Sequence, residues 1–179
     1  MVDLHAELPE SKFENLKLDQ LRVKHKPSLG DKGVHGRQNP QASGCNLYPF
    51  LFEIEGISIS VPNPVTWCVM KLISTRDRRL KSESLEQDEE YREYQRQQSI
   101  KHAKDVTRVV AMITREERDH ASNIIAKIRD RDSFADAVKV CDELFHGEDG
   151  WGVQVAAGKW RSEDLEMIRS ILRDWFRQS

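Results

Sequence analysis

The chain has 179 residues, of which 32% are charged and 38% hydrophobic, and its formal net charge at pH 7 is −2. This length is typical of one domain, or one domain with an appendage. The near-neutral charge gives no case for bulk attraction of the whole chain to nucleic acid or membranes, and no apolar run reaches the roughly 18 residues of a membrane span. The N-terminus lacks the basic and apolar regions of a signal peptide, and the three cysteines form no C-x-x-C pair. We therefore expect a soluble cytoplasmic protein with reduced thiols.

The first third of the chain predicts short strands around a long loop. Residues 2–8 alternate between apolar and polar, which is typical of a strand. Residues 22–46 are rich in Gly, Pro, Ser and Asn and predict a loop, which is also basic. Such a loop can contact phosphates, although it is more often simply solvated. Residues 47–55 and 57–61 alternate on either side of Gly56 and predict a β-hairpin.

From Asn63 the pattern becomes helical. Asn63 suits a helix N-cap and Pro64 the first helical position. The inward-facing positions predicted for this first helix are Val65, Cys68, Val69 and Leu72. Residues 81–98 are poor in apolar side chains and predict either a solvated helix or a mobile insert.

Four further amphipathic helices are predicted downstream. They cover the region around residues 100–113, then 116–130, 133–146 and 162–177. Between the last two lies a glycine-broken stretch that predicts a loop with room for one short strand. Strands followed by helices predict an α+β fold, with a small mixed sheet in residues 1–62 and a helical domain in residues 63–179.

The chain has no P-loop and no common hydrolase motif. The remaining candidates for a functional site are charged residues on the polar faces of two helices. Lys71 and Arg78 lie two turns apart on one face of the first helix. A face of the later helix carries Lys101, Asp105 and Arg108, with Lys104 beside them. If the helices pack through their apolar stripes, these polar faces can converge at one edge. The competing interpretation is ordinary ion pairing, for example of Asp105 with Arg108 or Lys101.

Three segments resemble a known family. They are "VPNP" at 61–64, "VMKLISTRDR" at 69–78 and "KHAKDVTRVVAMI" at 101–113. Together they resemble the C-terminal half of proteins with the nucleotidyltransferase (DNA polymerase β-like) fold. The resemblance is to bacterial members of poorly defined function and, more loosely, to abortive-infection-type nucleotidyltransferase toxins. It covers roughly residues 1–115, and the predicted sheet would then be a remnant of the nucleotidyltransferase sheet.

The resemblance implies a chemistry and a set of site residues. In that family, carboxylates on a sheet hold Mg²⁺ ions, which orient a nucleoside triphosphate for transfer. Lys71 would reach the triphosphate as a point charge. Asp3, on the strand "VDLHAE", matches the family's third carboxylate and would be a catalytic metal ligand. The remaining nucleotide-binding residues implied by the resemblance are Arg76, Arg78, Lys104 and Asp105.

The chain also departs from the family pattern, because it has no Gly-Ser followed by Asp-x-Asp. One hypothesis is that it is the C-terminal part of a longer or split nucleotidyltransferase. Another is a shortened, non-catalytic member that binds nucleotide or RNA. In the last, the resemblance is accidental and the chain is a protein-interaction module. Under the first two hypotheses, the expected partner of the chain is an NTP, RNA or a protein acceptor. A missing sheet portion would expose apolar surface and favour a homo-oligomer or a partner chain, with no membrane involved.

Overall fold

The computed structural model describes residues 4–6, 36–38, 40–147, 150–158 and 160–177. Within these ranges the protein is mostly helical, with short strands, which confirms the α+β class. The helices are α1 (Pro64–Glu83), α2 (Glu89–Ala111), α3 (Arg115–Ile128), α4 (Asp132–Phe145), α5 (Trp151–Ala157) and α6 (Ser162–Trp175). The strands are β1 (Leu4–Ala6), β2 (Gly36–Gln38), β3 (Phe50–Ile54) and β4 (Ile57–Val61), with a 3₁₀ helix at Pro40–Ala42.

The described strands form two separate pairs instead of one mixed sheet. β1 and β2 are parallel, with Leu4 opposite Gly36. β3 and β4 are antiparallel, with Phe50 opposite Val61. The predicted loop over residues 22–46 therefore contains β2, which local composition does not indicate because its partner lies far away in the sequence. Asp3 and the basic residues Arg22, Lys24, Lys26 and Lys32 lie outside the described residues.

The β3–β4 hairpin is confirmed, and its turn explains its sequence. The strands are joined by Glu55 and Gly56, whose φ angles are 50° and 78°. Two consecutive positive φ angles fit the tight turn whose twist matches that of a hairpin, and glycine adopts this conformation without steric cost.

A buried loop is fastened to the start of α1 by Asn63, the predicted N-cap. The Asn63 side chain accepts a hydrogen bond from the Thr66 N–H at 2.8 Å. Its amide group donates to the carbonyl oxygens of Gly44 and Leu47, both at 2.8 Å. The Thr66 hydroxyl donates to the Ser43 carbonyl at 3.1 Å. One side chain thus caps the helix and fixes the chain that precedes the hairpin.

The core lies between the helices, where α1 packs along α2 and against α4. The four α1 residues predicted to face inward are all buried, as are Ala103, Val106 and Val110 of α2. Ile100 and Ile113 are only partly buried. Most residues of α3, α4 and α6 that were predicted to face inward are buried, namely Ala121, Ile124, Ile128, Phe134, Ala137, Val138, Cys141, Phe145, Ile168, Leu172 and Trp175. The predicted inward residues Ile125 and Leu165 are only partly buried, whereas Val140, Leu144 and Ile171 are buried in addition.

Residues 81–98 are helical except for the short link at 84–88. The first three end α1, and the rest form the first half of α2. Asp88 caps α2 by accepting a hydrogen bond from the Tyr91 N–H at 2.7 Å. Ion pairs one turn apart, such as Arg96 with Glu93 at 2.6 Å, support this apolar-poor stretch.

The prediction of a loop with room for a short strand between α4 and α6, over residues 147–160, is wrong in its centre, because Trp151–Ala157 form the helix α5. Val153 and Ala156 are buried. A Cβ atom on Gly152 would lie 2.6 Å from ring carbons of Phe145, so this glycine permits close packing. Glycine usually indicates a loop, but here a tertiary contact requires it.

Among the described helices, none is both long enough and apolar enough to cross a membrane.

Candidate functional site

The packing of α1 along α2 brings two of the predicted site residues into contact. The Lys71 Nζ atom lies 3.1 Å from Oδ2 of Asp105, and the two side chains are 20% and 19% exposed. The Arg108 guanidinium lies 3.4 Å from the other carboxylate oxygen of Asp105. The polar faces of the two helices therefore do converge at one edge. They also form ion pairs, including the predicted Asp105–Arg108 pair.

His102 lies beside this pair. Its Nδ1 atom is 3.5 Å from Lys71 Nζ. The pKa of His102 is lowered to about 4, mainly by burial and next by the Lys71 cation. The imidazole is therefore neutral at pH 7. His102 is not among the site residues predicted from the sequence. Its position three residues before Asp105, about one helical turn, could have indicated that His102 lies beside that carboxylate.

Positive charge predominates around His102. Lys71 and Arg78 act on it from α1 and Lys101 from α2, whereas Asp105 is the carboxylate acting on it. Arg78 donates a 2.8 Å hydrogen bond to Oε1 of Gln95, a buried residue of α2. We name Lys71, Arg78, Lys101, His102 and Asp105 the α1–α2 edge cluster. Its excess of cations favours an anionic ligand.

An aromatic ring adjoins the cluster. Lys71 Nζ lies 5.5 Å from the ring centroid of Trp67, one turn earlier on α1. Trp67 is half-buried, so part of the ring is accessible. A cation next to an accessible aromatic surface is a combination that proteins use to hold a phosphate and stack a base.

The other predicted site residues are placed differently. Arg76 pairs with Asp136 of α4 and with Asp77, and its hydrogen bond to Asp136 raises its pKa above the ordinary value. It lines a cleft of about 430 Å³ beside α4, away from the edge cluster. Lys104 is half-buried on α2, and its backbone carbonyl accepts a hydrogen bond from the Thr107 hydroxyl at 2.9 Å. The structure thus brings Lys71 and Asp105 into contact. By contrast, Arg78 donates a hydrogen bond to Gln95 and acts on His102 through its charge, and Arg76 points towards α4.

The described residues do not fit a magnesium site. Across these ranges, no group of three or more His, Cys, Asp or Glu side chains is placed to hold a metal ion. The Asp105 carboxylate at the edge is already paired with Lys71. The Mg²⁺ prediction depends on Asp3, which lies outside the described residues. What the cluster can do is bind an anion.

Two clefts of the described part of the chain lie away from the edge cluster. One, of about 630 Å³, lies between α3, α4 and the end of α6. Its apolar floor includes Phe134 and Trp175, and charges of both signs surround it. Neither this cleft nor the one beside α4 includes a residue of the edge cluster. Neither of these clefts would therefore enclose a ligand at the cluster.

Comparisons with protein families, curated proteins and solved structures find no match to this chain.

Proposed function

We propose that the chain binds the phosphates of a nucleoside triphosphate at the α1–α2 edge cluster, as the nucleotide-binding part of a nucleotidyltransferase-like protein. The single observation that carries the proposal is the 3.1 Å contact between Lys71 and Asp105. These two residues come from separate segments of the family-like pattern. If both residues belong to one nucleotide-binding site, they must lie close together, as they do.

The charges around the contact support a phosphate ligand. Lys71, Arg78 and Lys101 supply three cations around His102, against the one carboxylate of Asp105. A neutral imidazole adds no charge, but can donate or accept a hydrogen bond. The resulting field attracts a polyphosphate over a distance of about one Debye length, or roughly 8 Å at physiological ionic strength.

Phosphate binding would rearrange the ion pair. Lys71 is partly exposed, so its ammonium group can donate a hydrogen bond to an incoming phosphate oxygen in place of the one to Asp105. The Asp105 carboxylate would retain Arg108, which lies 3.4 Å away. The exchange therefore leaves neither charge without a partner. The accessible part of Trp67 would then face the base or ribose.

Transfer of a nucleotidyl group is the further part of the proposal. It needs carboxylates for Mg²⁺ that the described residues do not supply. Asp3 and carboxylates from a partner chain are the candidates. Without them, the chain would bind nucleotide without transferring it.

Titration calorimetry with ATP and with inorganic tripolyphosphate tests the proposal on the full chain. We expect Lys71→Ala to weaken ATP binding at least about tenfold, because a direct charge on phosphate is lost. Lys127→Ala is the matched control, since it removes an exposed lysine on α3, outside the cluster. It should change the affinity by less than about twofold. Circular dichroism checks that both variants remain helical.

Two outcomes would contradict the proposal. One is the absence of ATP binding by the wild type at millimolar concentration, and the other is equal binding by the wild type and Lys71→Ala. Binding of single-stranded RNA, with a steep salt dependence and no ATP binding, would instead favour the RNA-binding alternative. Tripolyphosphate binding that matches ATP binding would mean that Trp67 does not contact the base.

A further inference from the structure

The β3–β4 hairpin has one entirely apolar face. Alternate residues of a strand lie on the same side, and directly opposed residues share that side. The register of the pair places on this side Phe50, Phe52, Ile54, Ile57, Ile59 and Val61. We name these six residues the apolar hairpin face. The other side carries Leu51, Glu53, Ser58 and Ser60.

This face is uncovered within the part of the chain that the structure describes. The exposed fractions are 52% for Phe50, 45% for Phe52, 55% for Ile54, 65% for Ile57 and 41% for Ile59. The rings of Phe50 and Phe52 contact each other, with centroids 4.6 Å apart. Among the described elements, the hairpin packs extensively against no helix. Contiguous apolar patches of this kind mark interaction sites in soluble proteins.

The strand β4 also lacks the usual protection against pairing. Edge strands normally carry a charge, a proline or a bulge that discourages association. The residues Ile57–Val61 contain neither a charge nor a proline, and they pair with β3 in unbroken register. Neither β4 nor the apolar hairpin face therefore carries a charge that would repel a second surface of the same kind.

We infer that a second copy of this chain covers the apolar hairpin face, with the two hairpins packed face to face about a twofold axis. A twofold contact requires a self-complementary surface, and six uncharged side chains meet that requirement. Two such ribbons would stack about 10 Å apart, like the sheets of a sandwich. The faces together would bury on the order of 1,000 Å², which is near the lower limit for specific association. This dimer does not depend on nucleotide binding.

Sedimentation equilibrium of the full chain, from about 1 to 200 µM, tests the dimer over the concentrations at which a weak interface would associate. The wild type should shift from monomer to dimer across the range. Ile59→Lys places a charge on the apolar hairpin face and should weaken association at least about tenfold. Ser60→Lys is the matched control, because it places the same charge on the same strand but on the opposite side. It should dimerise like the wild type.

Three results would overturn the inference. A wild type that stays monomeric at every concentration is the first. The second is association lost equally in Ile59→Lys and Ser60→Lys, which would indicate contact through the strand edge. The third is a monomer whose unfolding midpoint falls with Ile59→Lys but not with Ser60→Lys, since the chain itself would then cover the face.

Discussion

The helix α1 and the hairpin that precedes it carry equally regular apolar patterns, but only α1 has its pattern buried. Val65, Cys68, Val69 and Leu72 of α1 are at most 1% exposed, because α2 and α4 pack against them. In the hairpin, which repeats its apolar residues at every second position, Phe50, Ile54 and Ile57 remain more than half exposed.

The difference shows that periodicity determines which residues share a face, but not whether that face is covered. The α1 stripe is buried because neighbouring helices supply a complementary surface. The hairpin has only two strands, and a two-stranded ribbon has no second layer of its own. Its stability depends on whatever packs against it.

The largest expected effect comes from comparing one leucine in each region. Leu72→Ala empties a fully buried site and should lower the free energy of unfolding by about 2–5 kcal/mol. Leu51→Ala, on the polar side of the hairpin, removes a side chain that is 65% exposed and should cost less than about 1 kcal/mol. Urea unfolding followed by circular dichroism measures both. Equal losses would mean that the hairpin is packed as tightly as α1.

Two glycines with positive φ sharpen the same comparison. A Cβ at Gly44 would lie 2.9 Å from Cγ2 of Ile128 and 3.0 Å from the Thr66 hydroxyl, whereas a Cβ at Gly56 meets nothing within 4 Å. Gly56→Ala should cost about 1 kcal/mol from backbone strain alone. Gly44→Ala adds a steric clash and should cost about 2–3 kcal/mol. Chemical unfolding of both variants tests this, and a larger loss for Gly56→Ala would contradict the described packing of the loop.

The smallest expected effect is a pH dependence confined to the helical region. The pKa of His102 is lowered from 6.5 to about 4, so the folded state binds fewer protons than the unfolded state between these values. Its contribution to stability is complete above pH 6.5 and is lost as the pH falls towards 4. The charged groups acting on it are Lys71, Arg78, Lys101 and Asp105.

His102→Gln tests this contribution. Between pH 7 and pH 5, the wild type should lose more unfolding free energy than the variant, by less than about 1 kcal/mol because the imidazole is partly solvated. Urea titrations at the two pH values give the difference. If the variant loses as much stability as the wild type, His102 does not titrate as described.

Much of the helical region was predictable because its signals are local. The predicted helices at 116–130, 133–146 and 162–177 differ from α3, α4 and α6 by at most two residues at either end. The N-cap at Asn63 and the turn at Gly56 were also readable, since both depend on short-range conformational preferences. The helix α5 was missed, because its glycine serves a contact with Phe145 that lies outside any local pattern.

The candidate site was predictable only in part. Helical spacing placed Lys71 and Arg78 on one face and Asp105 on another, and stripe-to-stripe packing made convergence a reasonable expectation. Spacing did not separate Arg78 from Arg76, which instead pairs with Asp136 of α4. It also gave no weight to His102, whose neutral state follows from burial and the nearby cations. Function as a nucleotide-binding protein stays a proposal.

By itself, the sequence determined the α+β class, the hairpin, the capped start of α1 and the buried stripes, because each follows from backbone preferences or periodicity within a few residues. Only the tertiary structure decided three other features: the pairing of Lys71 with Asp105, the direction of Arg76 towards α4, and the exposure of the hairpin. Each of these depends on which surfaces meet across distant parts of the chain. The meeting of surfaces is set by shape and packing over the whole molecule, and no short pattern encodes it.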